Sequence, residues 1–239
     1  MKRILYTIGL LWACAMTQAQ TLLPPVWQGS ADVQYSSRTI AYLPPTRIVW
    51  QETTGSSSIE GIDKLLLPGN GQAELVGGKE CVIRKRPDGK VSFLLDFGRE
   101  LQGGIQIVTG QSSRKEAKVR IRFGESVSEA MCDITPENGA TNDHAIRDFH
   151  FTLPWLGVAE IGNSGFRFVR IDVEEPDIDL LLKEVRATFG YRDIPYLGSF
   201  KSDNDRLNDI WMTGAYTVHL NMQEYIWDGV KRDRLVWIG

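Results

Sequence analysis

Cysteine and histidine are scarce in this chain of 239 residues, which contains three of each. No CxxC pair and no cluster of histidine with cysteine occurs, so the ligand set of a structural zinc site is missing. His144 and His150 flank Asp148, but alternation along a strand predicts a solvated face there rather than ligand geometry. We therefore expect no metal ion and no cofactor.

Excess basic charge and long apolar runs are also lacking. The formal net charge is −3 at pH 7, which gives no electrostatic footprint for nucleic acid. No segment approaches the roughly 20 consecutive apolar residues that a membrane-spanning helix needs. The sequence thus predicts neither a nucleic-acid partner nor a membrane span.

The amino terminus has the three regions of a secretory signal peptide in the expected order. A Lys-Arg pair follows Met1, an apolar run occupies residues 4–13, and small and polar residues come next. We expect residues 1–19 to be the signal peptide, cleaved after Ala19, and the protein to be periplasmic or extracellular. The competing prediction is a lipid anchor at Cys14.

Residues 20–197 contain short alternating segments, which predict an all-β domain. In residues 118–123, Val119, Ile121 and Phe123 share a face predicted to be core, and three cations share a face predicted to be solvated. Several such strands, separated by turn residues, indicate a sandwich of jelly-roll type. The other predicted strands are residues 91–97, 105–108, 148–153, 166–173 and 180–189.

The pattern changes at Gly198, and residues 198–239 form the third segment. An N-cap in residues 202–205, followed by apolar residues at helical spacing, predicts an amphipathic helix of about five turns that starts near Asn204. The apolar stripe comprises Leu207, Ile210, Trp211, Gly214, Ala215, Val218 and Met222. Two interpretations are open: the first helix of a helical barrel, or a lone helix that caps the sandwich.

Residues 225–239, YIWDGVKRDRLVWIG, resemble the signature segment of α-L-rhamnosidases of glycoside hydrolase family 78. In that family an Asp is followed after four residues by an acid and then by Arg-Leu-x-Trp-x-Gly-Asp. Asp233 stands where many relatives carry Glu, and the family's final Asp would come after Gly239. The matching positions are Asp228, Arg232, Asp233, Arg234, Leu235, Trp237 and Gly239. Weaker resemblance to the β-sandwich of these enzymes lies in residues 95–100, 122–126 and 166–170.

The resemblance implies a mostly β fold, in which a jelly-roll-type sandwich precedes the first helix of an (α/α)6 barrel that is incomplete in this chain. It implies a glycosidase that removes terminal α-L-rhamnose from glycosides, oligosaccharides or polysaccharides with inversion. Inversion uses a general acid and a general base about 6.5–9.5 Å apart. The resemblance places both beyond Gly239, so the chain alone is expected to be inactive.

Within the chain, the resemblance implies contacts to the sugar rather than proton transfer. Asp228 and Asp233 are expected to accept hydrogen bonds from rhamnose hydroxyls, with Arg232 orienting them. Trp227 and Trp237 would offer flat faces to the apolar side of the sugar, although Trp237 is equally well explained as barrel core.

A second class of function stays open, because the sandwich could be a non-catalytic carbohydrate-binding or interdomain module. Glu125 and Glu129 form a carboxylate pair next to Gly124, for which surface exposure is expected. Two further acids, Asp96 and Glu100, are expected in a turn around Gly98.

Two further features of the sequence have structural interpretations. Cys81 and Cys132 could pair in an oxidising compartment or stay as separate thiols. His219 lies one position from the apolar stripe, where a packing role at the helix boundary is expected.

Overall fold

The computed structural model describes residues 37–75, 77–78, 80–134 and 147–231. The predicted signal peptide, the anchor candidate Cys14 and His144 lie outside this part. The elements are β1 Arg38–Leu43, β2 Arg47–Thr53, β3 Ser58–Glu60, a 3-10 helix Ile62–Leu66, β4 Cys81–Lys85, β5 Val91–Thr109, β6 Glu116–Gly124, α1 Val127–Met131, β7 Asp148–Pro154, β8 Gly157–Val173, β9 Ile178–Arg192 and α2 Asp205–Asn221.

Two long strands, β5 and β8, run through both layers of an antiparallel sandwich. The first half of β5, residues 91–96, pairs with β2 on one side and with β8 on the other, and β8 continues the layer to β6 and β7. The second half, residues 103–109, pairs with β9 and with the start of β8, and β9 continues to β4, β3 and β1. Both layers are therefore one continuous hydrogen-bonded sheet that folds over itself.

Glycine allows the two long strands to turn between the layers. Gly98 has a φ of 86° and Gly162 a φ of 82°, values that a residue with a side chain rarely adopts. The register between β5 and β8 shifts between Asp96 and Leu101, which is where β5 changes layer. This bend, at residues 97–100, forms one wall of the candidate site described below.

The core lies between the two layers and draws apolar side chains from both. Phe93, Ile121 and Phe166 from one layer and Ile105 and Leu180 from the other are fully buried in a single cluster. The alternation predicted for residues 118–123 accounts for this, since it sends every second side chain of β6 inward. The predicted mostly β sandwich is confirmed.

The prediction for the opposite face of β6 is wrong at one position. Arg122 is only 3% exposed, because its guanidinium is enclosed by Asp172 and Asp133, with bonds of 2.9 Å and 2.7 Å. The cations of an alternating strand were expected to face solvent. Here neighbouring strands and a loop supply carboxylates that compensate the burial of the charge.

The long helix α2 has the predicted start and length. Asn204 is its N-cap, and its side chain accepts a hydrogen bond of 3.0 Å from the backbone N–H of Arg206. The predicted apolar stripe is only partly covered in the described part of the chain: Trp211 stacks on Phe200, but Leu207, Ile210 and Val218 are exposed. None of the described helices is long and apolar enough to cross a membrane.

Candidate functional site

A cleft of about 1050 Å³ lies where α2 and the chain after it meet the bend of β5. We call it the helix cleft. Its walls come from the β5 bend with the adjacent part of β8, the residue after β6, the connection between β9 and α2, and α2 with the segment that follows it. The lining residues are Gly98, Arg99, Glu100, Glu125, Arg167, Tyr196, Met212, Thr213, Tyr216, Thr217, Leu220, Asn221, Asp228, Gly229, Val230 and Lys231.

Asp96 makes the bend of β5 rigid through its hydrogen bonds. Its buried carboxylate accepts two hydrogen bonds from the Arg167 guanidinium, at 2.8 Å and 3.0 Å, one of 2.7 Å from Arg47 and one of 2.7 Å from the Gly98 N–H. Burial opposes ionisation, but these bonds outweigh it and lower the pKa of Asp96 to about 2. The predicted turn around Gly98 is therefore held by the Asp96 carboxylate, which accepts four hydrogen bonds and also fixes Arg167 at the cleft.

Glu100 is the acid whose pKa the cleft changes most. Its Oε1 atom is buried and has no hydrogen-bond partner in the described part of the chain. Burial raises the pKa of Glu100 to about 8, and the charge of Glu125 adds to the effect while Lys231 opposes it. At neutral pH this side chain is mostly a protonated acid, able to donate a hydrogen bond into the cleft.

Tyr216 of α2 packs on the bend from the other side. Its hydroxyl donates to the backbone carbonyl of Glu100 at 2.5 Å, and the Arg99 guanidinium lies 5.0 Å from its ring centroid. Burial raises the pKa of Tyr216 to about 12, so the phenol remains a donor. This contact ties α2 to the residue whose carboxyl lines the cleft.

The carboxyl-terminal end of α2 is anchored on β9. The His219 ring lies 2.6 Å from the Arg192 carbonyl and 3.1 Å from the Tyr196 hydroxyl, which confirms the expected packing role. Gln223 is completely buried and donates to the carbonyls of Gly190 and Leu220, at 3.1 Å and 2.9 Å. The chain therefore leaves the helix in a fixed direction, back across the sandwich.

The segment after α2 is pinned to the sandwich by Val230 and Lys231. Val230 is buried over Gly165, where an added Cβ would come within 2.4 Å of the valine Cγ2. The Lys231 ammonium forms an ion pair with Glu129 and lies 3.9 Å from Glu125. The two glutamates predicted to be simple surface residues thus hold the last described residue in place.

Two of the predicted sugar-binding residues, Trp227 and Asp228, are in the described part of the chain; Asp228 is exposed at the cleft, whereas Trp227 is not among the residues that line it. Arg232, Asp233 and Trp237 lie outside the described residues, so their roles stay predictions. Trp227 is half-buried, and its backbone N–H donates to the Asn221 carbonyl at 2.9 Å.

Sequence reasoning assigned Glu100 and Lys231 no role at this site. Spacing could not reveal them, because the charged groups around Glu100 come from separate parts of the chain: Glu125 and Glu129 beside and in α1, Arg167 on β8, and Lys231 after α2. The available signal was an acid placed between a glycine bend and the buried Leu101. Together the cleft offers a protonated acid, exposed carboxylates and cations, a mixture suited to hydroxyl groups, which both donate and accept hydrogen bonds.

The weaker sequence signals have ordinary structural explanations. Asp148 pairs with Arg120, at 2.9 Å and 2.6 Å, and His150 lies 2.9 Å from a Glu174 oxygen. Within the described ranges, no group of three or more His, Cys, Asp or Glu side chains could hold a metal ion. Cys81 is buried and Cys132 is exposed, and no disulfide joins them.

Comparison with known proteins gives structural similarity only. No family model and no curated protein matches the chain. A rhamnosidase from Klebsiella oxytoca with rhamnose bound is 17% identical, with a TM-score of 0.55 over 84% of this chain and 39% of that one. A family 78 rhamnosidase from Bacillus sp. GL1 is 18% identical, with a TM-score of 0.56 over 74% of this chain and 17% of that one.

The chain thus spans well under half the length of the rhamnosidases that it matches. A fucose-binding module from Streptococcus pneumoniae also matches, with 11% identity and a TM-score of 0.39 over 67% of this chain and 99% of the module, a similarity too low to support an argument. At these identities the comparisons show the fold alone, which is similar to that of a part of two rhamnosidase structures.

Proposed function

We propose that the chain is the amino-terminal part of an exported glycoside hydrolase that removes terminal α-L-rhamnose with inversion. In this proposal Asp228, Arg232, Asp233 and Trp237 bind the sugar, and the general acid and base lie beyond Gly239. The enzyme acts on rhamnose-containing glycosides, oligosaccharides or polysaccharides and uses no cofactor.

The observation that carries the proposal is the position of the Asp228 segment in the helix cleft. This segment resembles the family signature, and Val230 and Lys231 hold it against the sandwich. Asp228 therefore shares one cleft with the protonated acid Glu100 and the cation Arg167. Sugar hydroxyls would find both acceptors and donors there, and two structures of similar fold are rhamnosidases.

The uncovered face of α2 supports the expectation that a helical barrel begins here. Leu207, Ile210 and Val218 are exposed, whereas Tyr216 and Leu220 on another face contact the sandwich. A helix normally buries its apolar stripe against a neighbouring element. The first helix of a barrel would bury it against later helices, which favours this interpretation over a helix that only caps the sandwich.

Asp228→Asn and Asp233→Asn test the proposal in the enzyme that carries this chain. A hydrogen bond to a charged group is worth about 1.5–3 kcal/mol, so each change should lower kcat/KM for 4-nitrophenyl α-L-rhamnoside roughly 10- to 150-fold. Both substitutions should also slow an alkyl rhamnoside to a similar degree, because the lost contact is to the sugar. Loss of a general acid would instead spare the activated substrate.

Asp63→Asn is the matched control, since Asp63 is exposed and does not line the cleft. It should leave kcat/KM unchanged, and all three variants should keep the wild-type melting temperature. Wild-type kinetics in both cleft variants would remove the support for the site. The chain Met1–Gly239 alone should show background hydrolysis, and rhamnose binding by an inactive longer protein would favour the non-catalytic binding module.

A further inference from the structure

A second cavity, of about 370 Å³, adjoins the helix cleft and shares three lining residues with it. These are Arg99 of the β5 bend, Tyr196 of the connection between β9 and α2, and Tyr216 of α2. The other walls come from β1, from β9 and from His219 of α2. We call it the aromatic cavity. Because the two cavities have walls in common, a ligand longer than one ring could occupy both.

The aromatic walls of this cavity are held in place by contacts within the protein. The Tyr191 ring stacks on Phe189, with ring centroids 4.9 Å apart and an angle of 13° between the rings. Tyr196 and His219 meet edge to face, with centroids 5.4 Å apart, and the Tyr196 hydroxyl lies 3.1 Å from the His219 Nδ1. Flat rings that are already ordered suit the apolar face of a sugar ring and lower the entropy lost on binding.

Arg99 gives the aromatic cavity a positive charge that is available to a ligand. Its guanidinium lies 5.0 Å from the centroid of the Tyr216 ring, but it forms no ion pair and no side-chain hydrogen bond within the described part of the chain. Arg167, by contrast, is bonded to Asp96 through two nitrogens. The Arg99 side chain is exposed, so its nitrogens are open to a ligand that enters the cavity.

The charge of the walls indicates the class of ligand. No Asp or Glu is among the described residues that line the aromatic cavity, whereas the helix cleft has the acidic residues Glu100, Glu125 and Asp228 beside its cations. A guanidinium without a carboxylate partner favours an anionic group, and its planar shape matches the two oxygens of a carboxylate. The aromatic walls favour a ring. A sugar ring that carries a carboxylate, a hexuronate, meets both conditions.

We propose that the aromatic cavity binds a hexuronate, whose carboxylate accepts hydrogen bonds from Arg99. A sugar acid is favoured over an aromatic acid because the adjoining helix cleft offers the donors and acceptors that hydroxyl groups require. The volume of the cavity is at the small end of the range for ligand sites, which suits a single ring. The proposed function puts terminal rhamnose in the helix cleft, and on that basis the hexuronate is the sugar to which the rhamnose is attached.

Isothermal titration calorimetry of the whole chain tests the cavity with D-glucuronate and D-galacturonate, with D-glucose and D-galactose as their neutral counterparts, and with benzoate as an aromatic acid. Two variants change different walls. Arg99→Gln removes the charge, and Tyr191→Leu removes a flat ring that lines the aromatic cavity but not the helix cleft. Lys115→Gln is the matched control, because it removes an exposed cation that lines neither cavity.

At least one uronate should bind to the wild type about 10-fold or more tightly than its neutral counterpart. Arg99→Gln should abolish this preference, and Tyr191→Leu should weaken uronate binding about 3-fold or more, whereas Lys115→Gln should bind as the wild type does. All three variants should keep the far-UV circular dichroism of the wild type. Equal binding of uronates and neutral sugars, or tighter binding of benzoate, would overturn the proposal. So would uronate binding that survives Arg99→Gln, or that is unchanged in Tyr191→Leu.

The link to rhamnose is tested in the enzyme that carries this chain, with rhamnose α-linked either to the uronate that binds or to its neutral counterpart. The wild type should have the higher kcat/KM for the uronate substrate, and Arg99→Gln should lower the ratio of the two values about 10-fold, while Lys115→Gln keeps it. Equal kcat/KM values in the wild type would refute the uronate as the attached sugar. Failure of the proposed function gives a different result, since Asp228→Asn and Asp233→Asn would then hydrolyse both substrates as the wild type does.

Discussion

Replacement of Glu100 by glutamine should stabilise the fold at neutral and alkaline pH. The cleft leaves one carboxyl oxygen buried and without a hydrogen bond, close to the charges of Glu125, Glu129, Lys231 and Arg167. Glutamine has nearly the same shape as the protonated acid and cannot ionise. The substitution therefore removes the titration of this site and little else.

The magnitude follows from the pKa of Glu100, which is about 8 in the folded protein against 4.5 for an ordinary glutamate. Because the folded state holds the proton more tightly, the stabilising contribution of the protonated acid is fully present below pH 4.5 and is lost as the pH rises through 8. The loss is about 1.4 kcal/mol for each pH unit between these limits. Between pH 4.5 and pH 7 the free energy of unfolding of Glu100→Gln should therefore rise by about 3 kcal/mol relative to that of the wild type.

Urea unfolding at half-unit intervals between pH 4.5 and pH 8 measures this difference. The control is Glu116→Gln, which removes an exposed carboxyl from β6 and should change the free energy of unfolding by no more than about 0.5 kcal/mol at any pH. A constant difference between Glu100→Gln and the wild type over this range would refute the reasoning. It would mean that Glu100 ionises in the folded state as freely as in the unfolded chain, and that the cleft does not enclose it.

Three other predictions concern the bend and the amino terminus. Asp96→Asn should lower the free energy of unfolding by about 2 kcal/mol at pH 7, because the pKa of Asp96 is about 2 in the folded protein against 3.8 for an ordinary aspartate. The stabilising contribution of the carboxylate is present above pH 3.8 and is lost as the pH falls through 2. An unchanged urea midpoint would contradict this prediction. Gly98→Ala should cost about 1–2 kcal/mol, because φ is 86° and the added Cβ would approach Thr46 at 3.2 Å; a wild-type melting temperature would speak against this strain. Amino-terminal sequencing of exported protein should find the mature chain starting after Ala19, and an intact Met1 or a lipidated Cys14 would disprove that cleavage.

The regular elements were predictable because their signals are local. Alternation in β6 and the N-cap at Asn204 each depend on a few neighbouring residues, and the structure places strand and helix where these patterns predict them. Three residues of the predicted apolar stripe of α2, Leu207, Ile210 and Val218, are exposed in the described part of the chain. Local patterns determine which residues share a face, and this held for both element types.

The polar sites were not predictable, because each is assembled from distant parts of the chain. Arg122 was assigned to solvent by alternation alone, yet Asp172 and the loop carboxylate of Asp133 bury it. Likewise, Asp96 is neutralised by Arg167, which is 71 positions away. Periodicity predicts which face of a strand a side chain occupies. The register between strands determines which residue lies opposite it, and a single sequence does not predict that register.

The outer face of one layer carries two groups of charged side chains, one at the helix cleft and one around Asp172. Alternation places Ser92, Leu94 and Asp96 of β5 on this face, with Ser92 bonded to Asp172 at one end, Asp96 bonded to Arg167 at the other, and the leucine between them. The short helix α1 packs on the middle, where Leu94, Phe168 and Ala130 form a small separate apolar cluster.

The helix α1 therefore separates the two charged groups on this face. Its Glu129 forms an ion pair with Lys231 of the cleft, and the sulfur of its Met131 lies 3.6 Å from a nitrogen of Arg170. An apolar cluster between two charged groups excludes water and leaves each group to be neutralised locally, by Arg167 at one end and by Asp172 at the other. Because Asp96 and Arg122 have separate counter-charges, Asp96→Asn should leave the surroundings of Arg122 unchanged, and a substitution at Arg122 should leave the bend at the helix cleft unchanged.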